Sequence, residues 1–258
     1  MIRAIKVLGT YSPHPKGKHN CPGFLVITDK GKILLDCGNG ALSLMKFPSD
    51  LKNLSVIISH MHNDHYGDLG ALQYTSFSNH NLRLINDKIK IYLPASPLNK
   101  TSVITSEEFS YATYSFIDET QTLKIDDVTV SFLRTTHSEE SYAIKLQDNN
   151  SFTLVYTSDI SYKDKDAIVK FAHNANLLIC ESSLLEEHGF PEYCSHLTAK
   201  QAAYIAKEAN VSKLLLTHFW PNENVTKYLE EANAVFDRVS LAKECDIWHS
   251  GALLYYIN

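Results

Sequence analysis

Three histidines and one aspartate fall within six consecutive positions of this chain, His60, His62, Asp64 and His65, in the stretch Ser59-His60-Met61-His62-Asn63-Asp64-His65. Neutral imidazole is the commonest transition-metal ligand, and a carboxylate is a hard partner suited to zinc, manganese or iron. The spacing H-x-H-x-D-H therefore points to metal chemistry. The apolar run Leu54 to Ile58 directly precedes it and reads as a buried strand. An extended chain with period 2 puts His60 and His62 on one side, within reach of one ion. Asp64 and His65 come after the strand and are free to face a second.

Other donor residues recur in the same position, just past an apolar run: His137 after Leu123–Arg134, Asp159 after Phe152–Tyr156 and His218 after Lys213–Leu216. Sites of α/β proteins gather at the carboxyl ends of strands, so these positions can converge. Alone, each has a plain structural role available, such as a capped histidine or a turn aspartate; beside the 60–65 cluster they form a set. His249 reads as structural or supporting, and His14, His19, His80, His173 and His188 read as solvated. Phe219-Trp220-Pro221 is placed to wall the pocket.

The elements that must position these residues alternate between hairpins and strand–helix units. Residues 2–8 form a first strand and 9–20 a Gly- and Pro-rich loop. Residues 23–28 and 32–36 form a hairpin around Asp29-Lys30-Gly31. A short helix through Met45 follows, and then a helix over 67–78, a strand over 89–93 and a less regular, substrate-facing stretch over 94–119. A hairpin over 123–134, strands over 142–146 and 152–156, and a helix over 164–172 come next. A strand over 175–180, a helix over 197–208, a strand over 213–216, a long helix over 224–239 and a closing strand over 246–256 complete the chain. Two similar sheets with helices outside are implied, and residues 1–258 read as a single domain without a linker.

Composition narrows the class. Hydrophobic residues make up 44% and charged residues 21%, as in ordinary globular proteins. No apolar run approaches the roughly 18 residues of a membrane span, and the N-terminus lacks a signal-peptide pattern, so the expected location is cytoplasmic. The five cysteines are odd in number and include no C-x-x-C, which argues against a disulfide framework or a cysteine zinc site. A net charge of −5 argues against long nucleic acid as the partner. Twelve histidines are the one compositional excess.

With these residues in view, the sequence resembles the metallo-β-lactamase fold superfamily over essentially its whole length. Within it the likeness is to the ribonuclease Z-like branch, through Leu8-Gly9-Thr10 with Asn20, Leu178-Ile179-Cys180-Glu181, His196-Leu197-Thr198-Ala199 and Leu216-Thr217-His218. The resemblance implies an α/β, four-layer αββα sandwich and a binuclear metal-dependent hydrolase. By the same resemblance His60, His62 and His137 hold one divalent ion. Asp64, His65 and His218 hold a second, and Asp159 bridges them. The ions would be zinc, with manganese the alternative, about 3.5–4 Å apart and supplying hydroxide at neutral pH. Asp64 would also orient that hydroxide, His196 would contact the phosphate or protonate the leaving group, and Glu181 would orient His196.

The chain departs from ribonuclease Z in two places: only residues 138–158 separate His137 from Asp159, too few for the arm that grips tRNA, and Cys180 stands where a histidine is usual. The expected activity is thus a phosphodiesterase on a small nucleotide or cyclic phosphate. The alternatives are cleavage of an acyl bond in a lactone or thioester and tRNA 3′-processing; a flavodiiron-like redox site and a non-catalytic metal scaffold fit less well. The resemblance also implies a homodimer.

Overall fold

The computed structural model describes residues 1–191 and 194–252. Its first sheet holds β1 (Ile2–Gly9), β2 (Gly23–Thr28), β3 (Lys32–Leu35), β4 (Leu54–Ile57), β5 (Ile89–Pro94) and β6 (Ala112–Ile117). The second holds β7 (Thr122–Ile125), β8 (Val128–Thr135), β9 (Ser141–Asp148), β10 (Thr153–Tyr156), β11 (Leu177–Glu181), β12 (Leu214–Thr217) and β13 (Val239–Leu241). β14 (Ile247–His249) returns to pair with β1, giving the orders β14-β1-β2-β3-β4-β5-β6 and β13-β12-β11-β10-β9-β8-β7. Each sheet begins with antiparallel hairpins and passes into parallel strands: β3 to β6 in the first, β10 to β13 in the second. The helices are α1 (Asn63–Tyr66), α2 (Leu69–Asn81), α3 (Leu98–Thr105), α4 (Lys165–Phe171), α5 (Ala199–Glu208) and α6 (Val225–Asn233).

Side-chain alternation sorts the apolar residues into layers. Phe24, Val26, Ile33 and Leu35 of the first sheet face Val130, Phe132, Ile144 and Ile179 of the second, forming the core between the sheets. Leu25, Leu34 and Val56 point the other way, against Leu69 and Leu72 of α2. Leu178, Leu214 and Leu216 likewise meet the small face of α5, Ala199, Ala202, Ala203 and Ala206. β4, β11 and β12 are buried on both faces, as parallel strands covered by helices must be, whereas β8 is antiparallel to both its neighbours and alternates buried with half-exposed residues. The expected four-layer αββα arrangement is what the chain adopts.

Three expectations change. The stretch over 94–119 is not irregular, for it contains α3 and β6; β6 is an edge strand with mostly exposed or half-exposed side chains, so no buried run announced it. The long helix expected over 224–239 stops at Asn233, and the chain then adds the three-residue edge strand β13. Of the closing strand, Ile247–His249 are extended and a short turn over Ser250–Ala252 interrupts it; residues 253–256 lie outside the described residues. Among the described residues no helix is long and apolar enough to cross a membrane.

Candidate metal centre

β4 ends at Ile57, and the chain continues extended through His62, whose φ and ψ are −84° and 142°. His60 and His62 do reach the same place, but from extended loop rather than strand. Asp64 and His65 lie in the single turn of α1. Gly38 makes this turn possible: a Cβ there would sit 2.1 Å from the Asp64 carbonyl oxygen. His137, Asp159 and His218 stand past the ends of β8, β10 and β12. His218 holds a left-handed φ of 66°, a conformation that costs a non-glycine residue about 1–3 kcal/mol and persists only where the surroundings impose it.

The structure brings all seven residues together, in two groups of donor atoms. His62 Nδ1 lies 3.0 Å from His60 Nε2 and 3.0 Å from His137 Nε2. Asp159 Oδ2 completes this group at 3.5 Å from His60 Nε2 and 3.6 Å from His137 Nε2. In the second group His65 Nε2 and His218 Nε2 are 3.1 Å apart, and Asp64 Oδ2 is 3.5 Å from each. Asp159 Oδ1 enters here, 3.3 Å from His65 Nε2 and 3.0 Å from His218 Nε2. Ligands on a tetrahedral zinc with bonds near 2.05 Å are about 3.3 Å apart, which is the spacing of both groups. Asp159 Oδ1 is buried without a hydrogen bond despite its two imidazole neighbours. An acceptor left so in a protein interior costs about 1–3 kcal/mol, and a cation between the donors would satisfy it. The residues fit divalent metal.

Electrostatics divides the groups. Burial pushes His60, His62 and His137 below the ordinary histidine range, keeping their imidazoles neutral and able to ligate. Burial acts on His218 in the same sense, but Asp159 and Asp64 override it and raise it to about 10. His65 is likewise raised, against burial, by Asp159, Asp64 and Asp36. Asp64 and Asp159 are lowered in turn, because the surrounding histidines outweigh the burial that favours their neutral forms.

A second ring of groups orients the first. Asp36 accepts from Ser59 N at 2.7 Å, Ser59 Oγ at 2.9 Å and Tyr156 OH at 2.7 Å. It also binds His65 Nδ1 at 2.7 Å, which turns Nε2 toward the site. Ser183 Oγ does the same for His218 Nδ1 at 2.7 Å, and Ser12 Oγ donates to Asp64 Oδ2 at 2.6 Å. Sequence reasoning passed over Asp36, Ser183 and Ser12. Asp36 did carry a signal, since it follows Ile33-Leu34-Leu35 in the strand-terminal position used to find the others.

His196 and Glu181 meet beside the cluster. His196 Nδ1 is 3.1 Å from Glu181 Oε1, and Asp159 Oδ2 lies 4.0 Å away. Glu181 is buried and also accepts from Ser183 Oγ at 2.8 Å. Burial disfavours the charged form of His196, but Glu181 prevails and raises its pKa. Its loop is pinned by Leu184 N to Leu197 O at 3.0 Å and by a reciprocal cap at the start of α5, where Thr198 and Gln201 exchange side-chain and backbone bonds.

The remaining histidines divide. His188 is not solvated: its Nε2 is 3.1 Å from Glu223 Oε2 and its Nδ1 accepts from Leu185 N. His80 stacks on Tyr111 with ring centroids 3.6 Å apart. His14, His19, His173 and His249 are exposed. Phe219 is core, against Tyr228 and Tyr11, whereas Trp220 faces solvent.

Two helix-covered sheets with a histidine–aspartate cluster across their carboxyl ends define a metallo-hydrolase class, and comparison with known proteins agrees. A family model described as a beta-lactamase superfamily domain matches residues 32–219. The chain belongs to this superfamily of hydrolases, in its metallo-β-lactamase fold form. It is 31% identical over 249 residues to the probable metallo-hydrolase YhfI of Bacillus subtilis (strain 168), covering 95% of this chain and 98% of the relative. The crystal structure of YhfI superposes with a TM-score of 0.88 at 30% identity, over 96% of this chain and 100% of the other. Ribonuclease Z of Protochlamydia amoebophila (strain UWE25) is 28% identical over 298 aligned positions, covering 94% of this chain and 95% of the relative. Human tRNase Z, short form, shares the fold, with a TM-score of 0.71 at 21% identity over 95% of this chain and 98% of the other. This chain lacks a long arm: residues 138–158 form little more than the β9–β10 hairpin. The family implies divalent metal, and the His/Asp groups are where it can bind.

Proposed function

We propose that the chain is a binuclear phosphodiesterase acting on a small nucleotide or cyclic phosphate. The observation that carries this reading is His196 on Glu181, a proton donor with 29% of its side chain exposed, beside two groups of metal-type donors. In this reading His60, His62, His137 and Asp159 Oδ2 hold one ion, and Asp64, His65, His218 and Asp159 Oδ1 the other. Zinc, or manganese in its place, supplies Lewis acidity and lowers the pKa of water there. Ser12 Oγ holds the Asp64 carboxylate in place, where it orients the attacking water. Glu181 fixes the ring of His196, and His196 delivers a proton to the leaving oxygen, a role that phosphodiester cleavage needs.

The missing arm and the net charge of −5 support a small substrate, with no extended electrostatic grip on nucleic acid. Turnover of bis(p-nitrophenyl) phosphate that disappears with EDTA and returns with zinc or manganese is expected; turnover indifferent to EDTA overturns the reading. The ribonuclease Z relative keeps tRNA 3′-processing as a second reading. Cleavage of a precursor tRNA faster than bis(p-nitrophenyl) phosphate would select it.

A further inference from the structure

A cavity of about 440 Å³ opens beside the metal centre, between the loop that follows β11 and the loop that follows β12. Its described lining includes Ser183, His188, Phe190, Trp220, Asn222 and Glu223. Ser183 joins it to the site, since its Oγ is 2.7 Å from His218 Nδ1. The volume lies in the range of about 300–1,000 Å³ typical of small-ligand sites.

Two aromatic rings on this wall lack partners enough to bury them. Phe190 is 57% exposed and Trp220 47% exposed, although aromatic side chains of this size ordinarily gain most by burial. The backbone beneath each has a defined course. Phe190 follows Gly189, whose left-handed φ of 65° ends the short turn 186–188 and turns the chain outward. Trp220 is two residues past His218, and its backbone N–H is bound by Tyr228 OH at 3.3 Å. The polar side of the cavity is equally built: Glu223 accepts from Asn224 N at 2.9 Å and pairs with His188 at 3.1 Å. Exposed aromatic faces with polar groups at one edge suit a planar heterocycle that has both a π-face and a hydrogen-bonding rim.

We propose that this cavity is the nucleobase subsite, in which the base of a nucleotide stacks on Trp220 and Phe190 while its phosphate lies at the metal centre. The assignment rests on the phosphodiesterase reading for the phosphate, and on the cavity alone for the base. Sugar phosphates without a base fill only the phosphate position. Asn222 and Glu223 meet the base edge, and stacking supplies most of the affinity.

The test is calorimetric titration of AMP and of ribose 5-phosphate into the metal-loaded protein. AMP is expected to bind tighter by a factor of about 5 to 150, the worth of stacking one base. Trp220→Ala and Phe190→Ala each cut that ratio, and Trp220→Phe, which keeps a ring, retains most of it. Both rings are exposed, so these variants leave the core intact. Equal affinity for AMP and ribose 5-phosphate overturns the proposal, as does a ratio untouched by either alanine variant. The bis(p-nitrophenyl) phosphate assay run alongside keeps the two readings apart. Discrimination for AMP without hydrolysis removes the phosphodiesterase reading and leaves the subsite standing; hydrolysis without discrimination does the reverse.

Discussion

His196 Nδ1 lies 3.1 Å from Glu181 Oε1, and of the pair only the histidine reaches solvent. The carboxylate, itself held by Ser183 N and Oγ, orients the ring, and the ring meets whatever enters the site. His196→Ala is expected to lower kcat on a phosphodiester by about 10²–10⁴-fold, the ordinary worth of a general acid, with KM changing far less. Glu181→Gln lowers kcat less and shifts the basic limb of the pH profile downward. The double variant falls no further than His196→Ala alone. Steady-state kinetics across pH checks all three, and independent, additive losses would refute the pairing.

Asp159 places one oxygen in each donor group, so its loss strikes both. Asp159→Ala is expected to bind less metal per chain than His137→Ala, which removes a donor from one group only. Elemental analysis of the purified variants decides between them. Equal metal content in the two would show that the carboxylate does not serve both groups.

Asp36 satisfies Ser59, His65 and Tyr156 at once, in full burial. Asp36→Ala leaves buried His65 and its neighbouring donors without their shared partner, so a loss of about 3–5 kcal/mol, the usual cost of breaking a buried pair, is expected in urea unfolding. Metal affinity falls about 10–100-fold as His65 loses its orienting partner. A variant with native stability would place the importance of Asp36 elsewhere.

Glu223 is pushed down to about 2, first by the Asn224 N–H, then by His188 and Lys227. A carboxylate with a depressed folded-state pKa contributes stability that is present above its ordinary value, near 4.5, and lost as pH falls toward 2. Glu223→Gln removes this contribution, so its acid unfolding curve is expected to be flatter than that of the parent between these limits. Lys227 is well exposed and its share is screened by solvent, which keeps the effect small. Circular dichroism during acid titration measures it; identical curves would exclude the linkage.

The histidine–aspartate cluster was legible because its signal is local. His60, His62, Asp64 and His65 need only six positions of sequence, and the apolar strand before them says where they stand. Asp36 was not legible as an orienting group because its partners are remote, 23 residues away at Ser59, 29 at His65 and 120 at Tyr156. β6 failed for a different reason. At a sheet edge one side of Ala112–Ile117 faces water, and the apolar run that marks the inner strands is absent. β13 is three residues long and held by pairing with β12, a tertiary circumstance that no local propensity announces. His188 read as solvated because Glu223, which meets it, is 35 residues on.

The two donor groups draw on both sheets: His60, His62, Asp64 and His65 from the first, His137, Asp159 and His218 from the second. Each group therefore spans the plane along which the sheets could slide. Their relative seating is set far below, by contacts such as those among Val26, Phe132 and Ile144. Misplacing reacting groups by about 1 Å can cost 10²-fold in rate. Reactivity then serves as a mechanical gauge of interlayer shear, and repacking of the buried interface will be felt in turnover at degrees of strain too small to unfold the chain.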